Sequence, residues 1–162
     1  MKENIQNSID HYEHLPLYPM RILVVQTMYS VEIIKKRKDI NDIASDYIEF
    51  FLSKYLSQNL NKDFYYNLLL FTNNNLSNVD NIISANLDRT WRLERLPKLV
   101  LAILRVGMGE ILEGKYSNFA NIINDYLQIT KSLKHSEKIG FINSILDRVA
   151  NNVYKKNNNT VC

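Results

Sequence analysis

Glycine and proline are scarce in this chain. Its 162 residues include four glycines and three prolines, together about 4 % of the chain, where average usage gives roughly 12 %. None of the seven lies between Met20 and Leu96. Sandwiches and barrels need turn residues about every ten positions, and parallel α/β folds need glycines where strands turn into helices. The scarcity therefore argues against both classes and predicts a mostly helical protein.

Cysteine and long apolar runs are also nearly missing. The single cysteine, Cys162, is the last residue, which excludes a disulfide framework or a cysteine metal site within one chain and suits a reducing cytoplasm. No apolar run approaches the roughly 18–20 residues of a membrane span, and the first twenty residues lack the apolar stretch of a signal peptide. We therefore expect a cytoplasmic protein without a membrane partner.

The residues that are present suit one globular domain. Hydrophobic residues make up 46 % of the chain and charged residues 23 %, which is typical of a packed fold. We expect a flexible N-terminal tail over 1–19, a single helical domain over 20–153 and a flexible C-terminal tail over 154–162. The net charge of +3 permits an anionic partner without requiring one.

Apolar periodicity predicts six helices within that domain. Their expected starts are near Met20, Asn41, Asp63, Pro97, Ser117 and Ser136. Pro97 suits the first position of a helix, Gly114 suits a helix end, and Ser117 and Ser136 suit N-caps. The polar patch over 72–75 leaves open whether the third helix is interrupted there.

Two short patterns resemble functional motifs without completing them. Gly107 and Gly109 lack the third glycine and the lysine of a phosphate loop, so we expect them to allow close contact between helices. His11 and His14 have the spacing of a metal pair but lack further ligands. Carboxylates are scattered, and no serine has the setting of a catalytic nucleophile. The sequence therefore predicts no enzyme, no metal site and no cofactor.

The remaining chemistry is cationic and aromatic. Four basic residues precede Phe141 between the fifth and sixth expected helices: Lys131, Lys134, His135 and Lys138. Lysines near a helix start can hold phosphates, and an aromatic ring can stack on an unpaired base. A solvated charged loop with Phe141 in the core would give the same pattern. Residue types alone therefore leave RNA contact and a plain surface loop both open.

Three ordered blocks of sequence resemble the NusB family of transcription antitermination factors. The first, over 21–30 (RILVVQTMYS), is similar to the family's arginine, apolar run and Gln-Ala-Leu-Tyr-Ser. The second runs from Trp91 to Glu110 and contains the family's tryptophan, RL and AILR elements. The third runs from Ile123 to Asp147 and ends in FINSILD. The resemblance covers about residues 20–150 and implies an all-α fold of two packed three-helix halves without enzymatic activity.

The same resemblance implies a function. Family members bind the boxA element of single-stranded nascent RNA together with the ribosomal protein NusE. They act with other Nus factors on RNA polymerase and promote read-through, notably in ribosomal RNA operons. Two alternatives remain: a helical adaptor with lost or weak RNA binding, and a stand-alone NusB-like domain of an RNA methyltransferase. The second alternative would need a separate glycine-rich cofactor domain, which this sequence does not contain.

The resemblance also implies roles for single residues. The expected RNA-binding residues are Arg21, Gln26, Lys134, Glu137, Lys138 and Phe141. Tyr29 and Glu94 are expected at the NusE contact. Four further matching positions are expected in the core: Trp91, Leu104, Ile123 and Leu146. The family typically has two or three more arginines just before Arg21, where this chain has Leu17, Tyr18 and Pro19, and this departure motivates the adaptor alternative.

Overall fold

Seven α-helices and two short 3-10 helices occur in the part of the chain that the structure describes. The structure is a computed structural model that describes residues 17–34, 39–54, 60–115 and 118–159. The α-helices are α1 (Tyr18–Ile34), α2 (Ile40–Lys54), α3 (Lys62–Asn74), α4 (Leu76–Ala85), α5 (Lys98–Glu113), α6 (Phe119–Ser132) and α7 (Ile139–Asn159). The 3-10 helices are Leu93–Arg95 and Ser136–Lys138. These four ranges contain no strand, and the predicted all-α class is confirmed.

Gly114 marks the end of α5, and Asn118 marks the start of α6. Gly114 ends α5 in the left-handed conformation at φ +67°, as its position in the sequence predicts. Pro97 stands immediately before α5 as its N-cap. The Asn118 side-chain oxygen accepts a hydrogen bond of 3.2 Å from the Asn121 amide and caps α6. Ser117, the expected cap, lies outside the described residues, as do His11 and His14.

The polar patch over 72–75 interrupts the third predicted helix. The helix is interrupted at Asn75, which separates α3 from α4. The Asn75 side-chain amide donates to the Phe71 carbonyl at 2.8 Å. Two expected tail boundaries fall within helices. Tyr18 and Pro19 belong to α1, and α7 continues past Val153 to Asn159.

Helix α5 lies at the centre of the fold. Every residue from Val100 to Ile111 is buried, because α5 packs against α1, α3, α4, α6 and α7. A helix that is apolar on nearly all sides requires neighbours on all sides. Helix α1 packs on α2 and α3, while α5, α6 and α7 pack on one another. The two packed halves are therefore confirmed, with the third predicted helix divided into α3 and α4, and the halves meet mainly along α5.

Ion pairs at both ends of α1 define its direction against α5. Arg21, in the first turn of α1, pairs with Glu110 near the end of α5. Glu32, in the last turn of α1, accepts hydrogen bonds from Lys98 and Arg105, which precede Glu110 on α5. The two helices therefore run antiparallel.

The two glycines inside α5 lie where neighbouring side chains come very close. A Cβ on Gly107 would lie 3.1 Å from Leu146 Cδ1, and a Cβ on Gly109 would lie 2.2 Å from Thr72 Oγ1. The expected close helix contact is therefore confirmed at both positions. Thr72 Oγ1 is buried and has no hydrogen-bond partner in the described part of the chain.

The Gly109–Thr72 approach predicts a coupled effect on stability. Gly109→Ala should lower the free energy of unfolding by about 1–3 kcal/mol, because the added methyl group overpacks the site. In a Thr72→Ala background the loss should shrink, since the clashing hydroxyl is gone and alanine favours helix by about 1 kcal/mol. Urea denaturation of the four proteins of this double-mutant cycle measures the coupling. An equal loss in both backgrounds would contradict the assigned contact.

Candidate nucleic-acid interface

A partly exposed aromatic pair lies where the segment before the first 3-10 helix meets the start of α7. The ring centroids of Trp91 and Phe141 are 5.8 Å apart, with 40° between the ring planes. Lys138 Nζ lies 5.3 Å from the centroid of the Trp91 ring, in cation–π contact. Trp91 is 41 % exposed, and Phe141 is half-buried. We call Trp91, Lys138 and Phe141 the aromatic–cation surface.

The exposure of Trp91 corrects the expectation that it lies in the core. Trp91 belongs to no α-helix, and its amide donates to the Asp88 carbonyl at 2.9 Å in a turn. Leu96, five residues later, fills the core instead and is 4 % exposed. Polar neighbours on both sides of Trp91, in the run DRTWR, were the signal that could have predicted this. The other three expected core positions, Leu104, Ile123 and Leu146, are buried.

The turn between α6 and α7 brings four of the expected RNA-binding residues together. Lys134, Glu137, Lys138 and Phe141 lie within this turn or in the first residues of α7. The His135 amide donates to the Thr130 carbonyl at 3.0 Å, which closes the end of α6. Lys134 and Glu137 are exposed, so the turn presents a lysine and a glutamate to solvent.

Lys134 adopts a backbone conformation that lysine rarely takes. Its φ is +65°, the only positive φ of a non-glycine residue in the described ranges. The position follows the end of α6, where glycine or asparagine is usual because a Cβ is unfavourable there. A lysine at such a position has an unfavourable backbone conformation and also places its charge in solvent. Uncommon backbone conformations of this kind concentrate at functional sites.

Glu137 moderates the positive charge of this turn. A hydrogen bond from its own backbone amide, aided by His135, holds the pKa of the Glu137 carboxyl below its ordinary value. His135 Nδ1 lies 3.4 Å from the Glu137 carboxylate. The turn therefore combines a carboxylate with the cations Lys134 and Lys138. Such a surface suits base stacking with a few phosphate contacts better than binding driven by charge alone.

Arg21, one of the expected RNA-binding residues, does not face solvent. It is buried, and its Nε donates to Glu110 Oε2 at 2.9 Å while its Nη1 donates to Asp125 Oδ2 at 2.7 Å. The Tyr126 hydroxyl also donates to Glu110, at 2.7 Å. Burial disfavours the charged guanidinium, but the hydrogen bond and charge of Glu110 outweigh this and raise the pKa of Arg21. The guanidinium therefore joins α1 to α5 and α6 instead of facing solvent.

The remaining expected residues lie on α1 and in the first 3-10 helix. Gln26 and Tyr29 are partly exposed on α1, and Glu94 is exposed in the first 3-10 helix. Lys98 Nζ donates to Glu32 at 2.8 Å. Glu32 is three residues after Tyr29, and Lys98 is four residues after Glu94. The hydrogen bonds from Lys98 and Arg105 lower the pKa of Glu32. The segments that carry Tyr29 and Glu94 are therefore neighbours, and the shared partner contact stays a prediction.

No group of three or more histidine, cysteine, aspartate or glutamate residues able to hold a metal ion occurs among the described residues. Within the same part of the chain, no helix combines the length and apolar character needed to cross a membrane.

Comparisons with known proteins agree on one family. The profile of the NusB family matches residues 19–151. "Transcription antitermination protein NusB" of Borreliella burgdorferi is 33 % identical over 147 residues, covering 85 % of this chain and 95 % of that protein. The protein of the same name from Persephonella marina is 31 % identical over 138 residues, covering 85 % and 94 %.

Solved structures show the same fold. A T. maritima NusB structure superposes with a TM-score of 0.71 at 25 % identity, covering 84 % of this chain and 91 % of that one. A structure of the antitermination factors NusB and NusE in complex with dsRNA gives a TM-score of 0.69 at 16 % identity. The match covers 86 % of this chain and 96 % of that one. At this identity the likeness concerns the fold.

The buried ion pairs of Arg21 predict a large effect on stability. Arg21→Ala should lower the free energy of unfolding by about 3–5 kcal/mol, because it leaves Glu110 buried without its counter-charge. Arg95→Ala, which removes an exposed arginine, is the matched control and should change it by no more than about 0.5 kcal/mol. Urea denaturation followed by circular dichroism compares the two. Equal midpoints for Arg21→Ala and wild type would contradict the stabilising role.

Proposed function

The chain belongs to the NusB family, and from this premise we propose that it is a transcription antitermination factor binding boxA RNA together with ribosomal protein NusE. It would act in the cytoplasm with RNA polymerase and other Nus factors and promote read-through, notably of ribosomal RNA operons. The solved complex of NusB and NusE with dsRNA, which has the same fold, supports this proposal. The proposed activity is binding, without a catalytic step or a cofactor.

The aromatic–cation surface is the observation that carries RNA binding. Single-stranded RNA is recognised largely through bases that stack on aromatic side chains, while lysines hold the backbone. Phe141 and Trp91 place two rings in contact at the surface, and Lys138 and Lys134 lie within seven residues of Phe141. The rings would hold bases and the lysines would hold phosphates.

A second protein fits the modest charge of this surface. Arg21 is committed to Glu110 and Asp125, and Leu17–Pro19 supply no arginine. Fewer phosphate contacts mean weaker electrostatic binding, which an added protein surface would offset. We assign the NusE contact to the region of Tyr29 and Glu94, next to the Lys98–Glu32 ion pair.

The inward placement of Arg21 also favours a second candidate, a helical adaptor that binds NusE with little RNA affinity of its own. The two candidates differ in whether the protein alone, or only the protein with NusE, distinguishes RNA sequences. Titration of RNA with and without NusE separates them.

The proposed function predicts a sequence-selective ternary complex. The protein, NusE and a single-stranded boxA RNA should associate more tightly than either protein with the RNA alone, because both proteins contribute surface. Fluorescence anisotropy of labelled RNA measures the three affinities, with a scrambled RNA of the same composition as control. Equal binding of boxA and scrambled RNA by the two proteins together would overturn the proposal.

Lys134 predicts opposite changes in stability and RNA affinity. Lys134→Gly should raise the free energy of unfolding by about 1 kcal/mol, because glycine adopts the positive φ without steric cost. It should also weaken RNA binding and reduce the slope of log affinity against log salt by about 0.7, as expected for one lost phosphate contact to a single strand.

The matched control for this experiment is Lys155→Gln, which removes an exposed lysine of α7 outside the aromatic–cation surface. It should leave both stability and the salt slope close to wild type. A Lys134→Gly protein that is more stable and binds RNA as wild type does would remove Lys134 from the interface.

A further inference from the structure

A shallow cavity of about 270 Å³ adjoins Trp91. Its lining residues are Ser84, Leu87, Trp91, Arg92, Leu93 and Glu94. All six come from the end of α4 and the segment that follows it. Phe141 and Lys138, which contact the Trp91 ring, are not among them.

The segment that forms this cavity is held in place from several sides. Arg148 of α7 donates to the Asn86 carbonyl at 3.2 Å, and the Trp91 amide closes a turn onto Asp88. Phe141 supports the indole by direct ring contact. A ligand that stacks on Trp91 would therefore meet a ring already in position, which reduces the entropy lost on binding.

Charge around the cavity favours an anionic ligand on one side of it. Arg89, Arg92 and Arg95 are exposed, and within the described ranges no ion pair joins any of them to a carboxylate. Arg92 lines the cavity, whereas Arg89 and Arg95 do not. Glu94 also lines it, and its carboxylate repels a phosphate. A bound phosphate would therefore lie toward Arg92.

We propose that this cavity holds one unpaired base of a single-stranded RNA, stacked on Trp91, with Arg92 contacting the adjoining phosphate. The inference rests on the proposed function and extends the RNA surface from the α6–α7 turn onto the segment over 84–94. Trp91 belongs to both parts and makes them continuous. Arg92 supplies a cation that Leu17, Tyr18 and Pro19 do not.

The shape and chemistry of the cavity suit a base. Trp91 offers a flat π-face, and Leu87 and Leu93 add apolar side chains. Bases in a duplex are already stacked and paired, so only an unpaired base can enter. Stacking of a base on an aromatic side chain contributes about 1–3 kcal/mol, which corresponds to about 5- to 150-fold in affinity.

Trp91 is the only tryptophan of the chain, so its fluorescence reports directly on the proposed site. Titration of the full-length protein with single-stranded boxA RNA should quench the emission in step with binding measured by RNA anisotropy. A fully paired duplex of the same sequence should bind without this quenching. Emission that is unchanged by RNA, or that changes only on addition of NusE, would overturn the inference.

Variants test the two contacts separately. Trp91→Ala should weaken RNA binding about 5- to 150-fold, and Trp91→Phe should restore part of the loss because it keeps a stacking ring. Arg92→Gln should weaken binding and lower the salt slope by about 0.7. Arg95→Gln removes the same charge from a nearby residue that does not line the cavity, and should bind as wild type does. Circular dichroism checks that each variant is folded.

The outcomes separate this inference from the proposed function. If wild type prefers boxA RNA and Trp91→Ala binds it equally well, the function stands and the cavity does not hold a base. If boxA and scrambled RNA bind equally and both quench Trp91, the cavity holds a base and the proposed function fails. Equal losses for Arg92→Gln and Arg95→Gln would show a diffuse charge effect and would overturn the assigned Arg92 contact.

Discussion

Two buried charges on the central helix determine the arrangement of the rest of the fold. Arg105 and Glu110 lie within the fully buried stretch of α5, and a buried charge without a counter-charge costs several kcal/mol. Helix α1 supplies a partner to each, Glu32 to Arg105 and Arg21 to Glu110. Asp80 of α4 forms a second pair with Arg105. The packing around α5 must keep these pairs in place, which makes α1 antiparallel to it and brings α4 against its side.

This use of charge inside the protein affects what remains at the surface. Arg21 serves the interior, so the cations that lie beside the aromatic pair come from irregular segments: Lys134 and Lys138 from the α6–α7 turn and Arg92 from the segment over 84–94. Both are short connections attached to well-packed helices, an arrangement in which loops commonly carry binding residues. Trp91 joins the two segments through its contacts with Phe141 and Lys138. The side chains proposed to bind RNA therefore lie on surface segments that packed helices hold in place, and not in a pocket of the core.

Sequence reasoning succeeded where the physical cause is local. The helices, the end of α5 at Gly114 and the close packing at Gly107 and Gly109 follow from periodicity and backbone preferences within a few residues. The same reasoning placed Lys134, Lys138 and Phe141 together, from the end of one helix to the start of the next. It misplaced Trp91, because a match to the family's tryptophan does not by itself distinguish a core position from a surface position, although the polar neighbours in the run DRTWR favour exposure. It also could not foresee the cavity beside Trp91, which forms only when α4 and the following segment pack together.

The sequence by itself determined the all-α class and the order of the helices, because hydrogen bonds within a helix join residues four apart and glycine or proline effects act on single positions. Only the tertiary structure decided which cations face solvent. Two carboxylates accept hydrogen bonds from Arg21. Glu110 lies 89 residues away along the chain and Asp125 lies 104 residues away. Whether an arginine binds a phosphate of a partner or a carboxylate of its own chain depends on which group lies within hydrogen-bond distance. In the folded chain, Arg21 already donates to the two carboxylates.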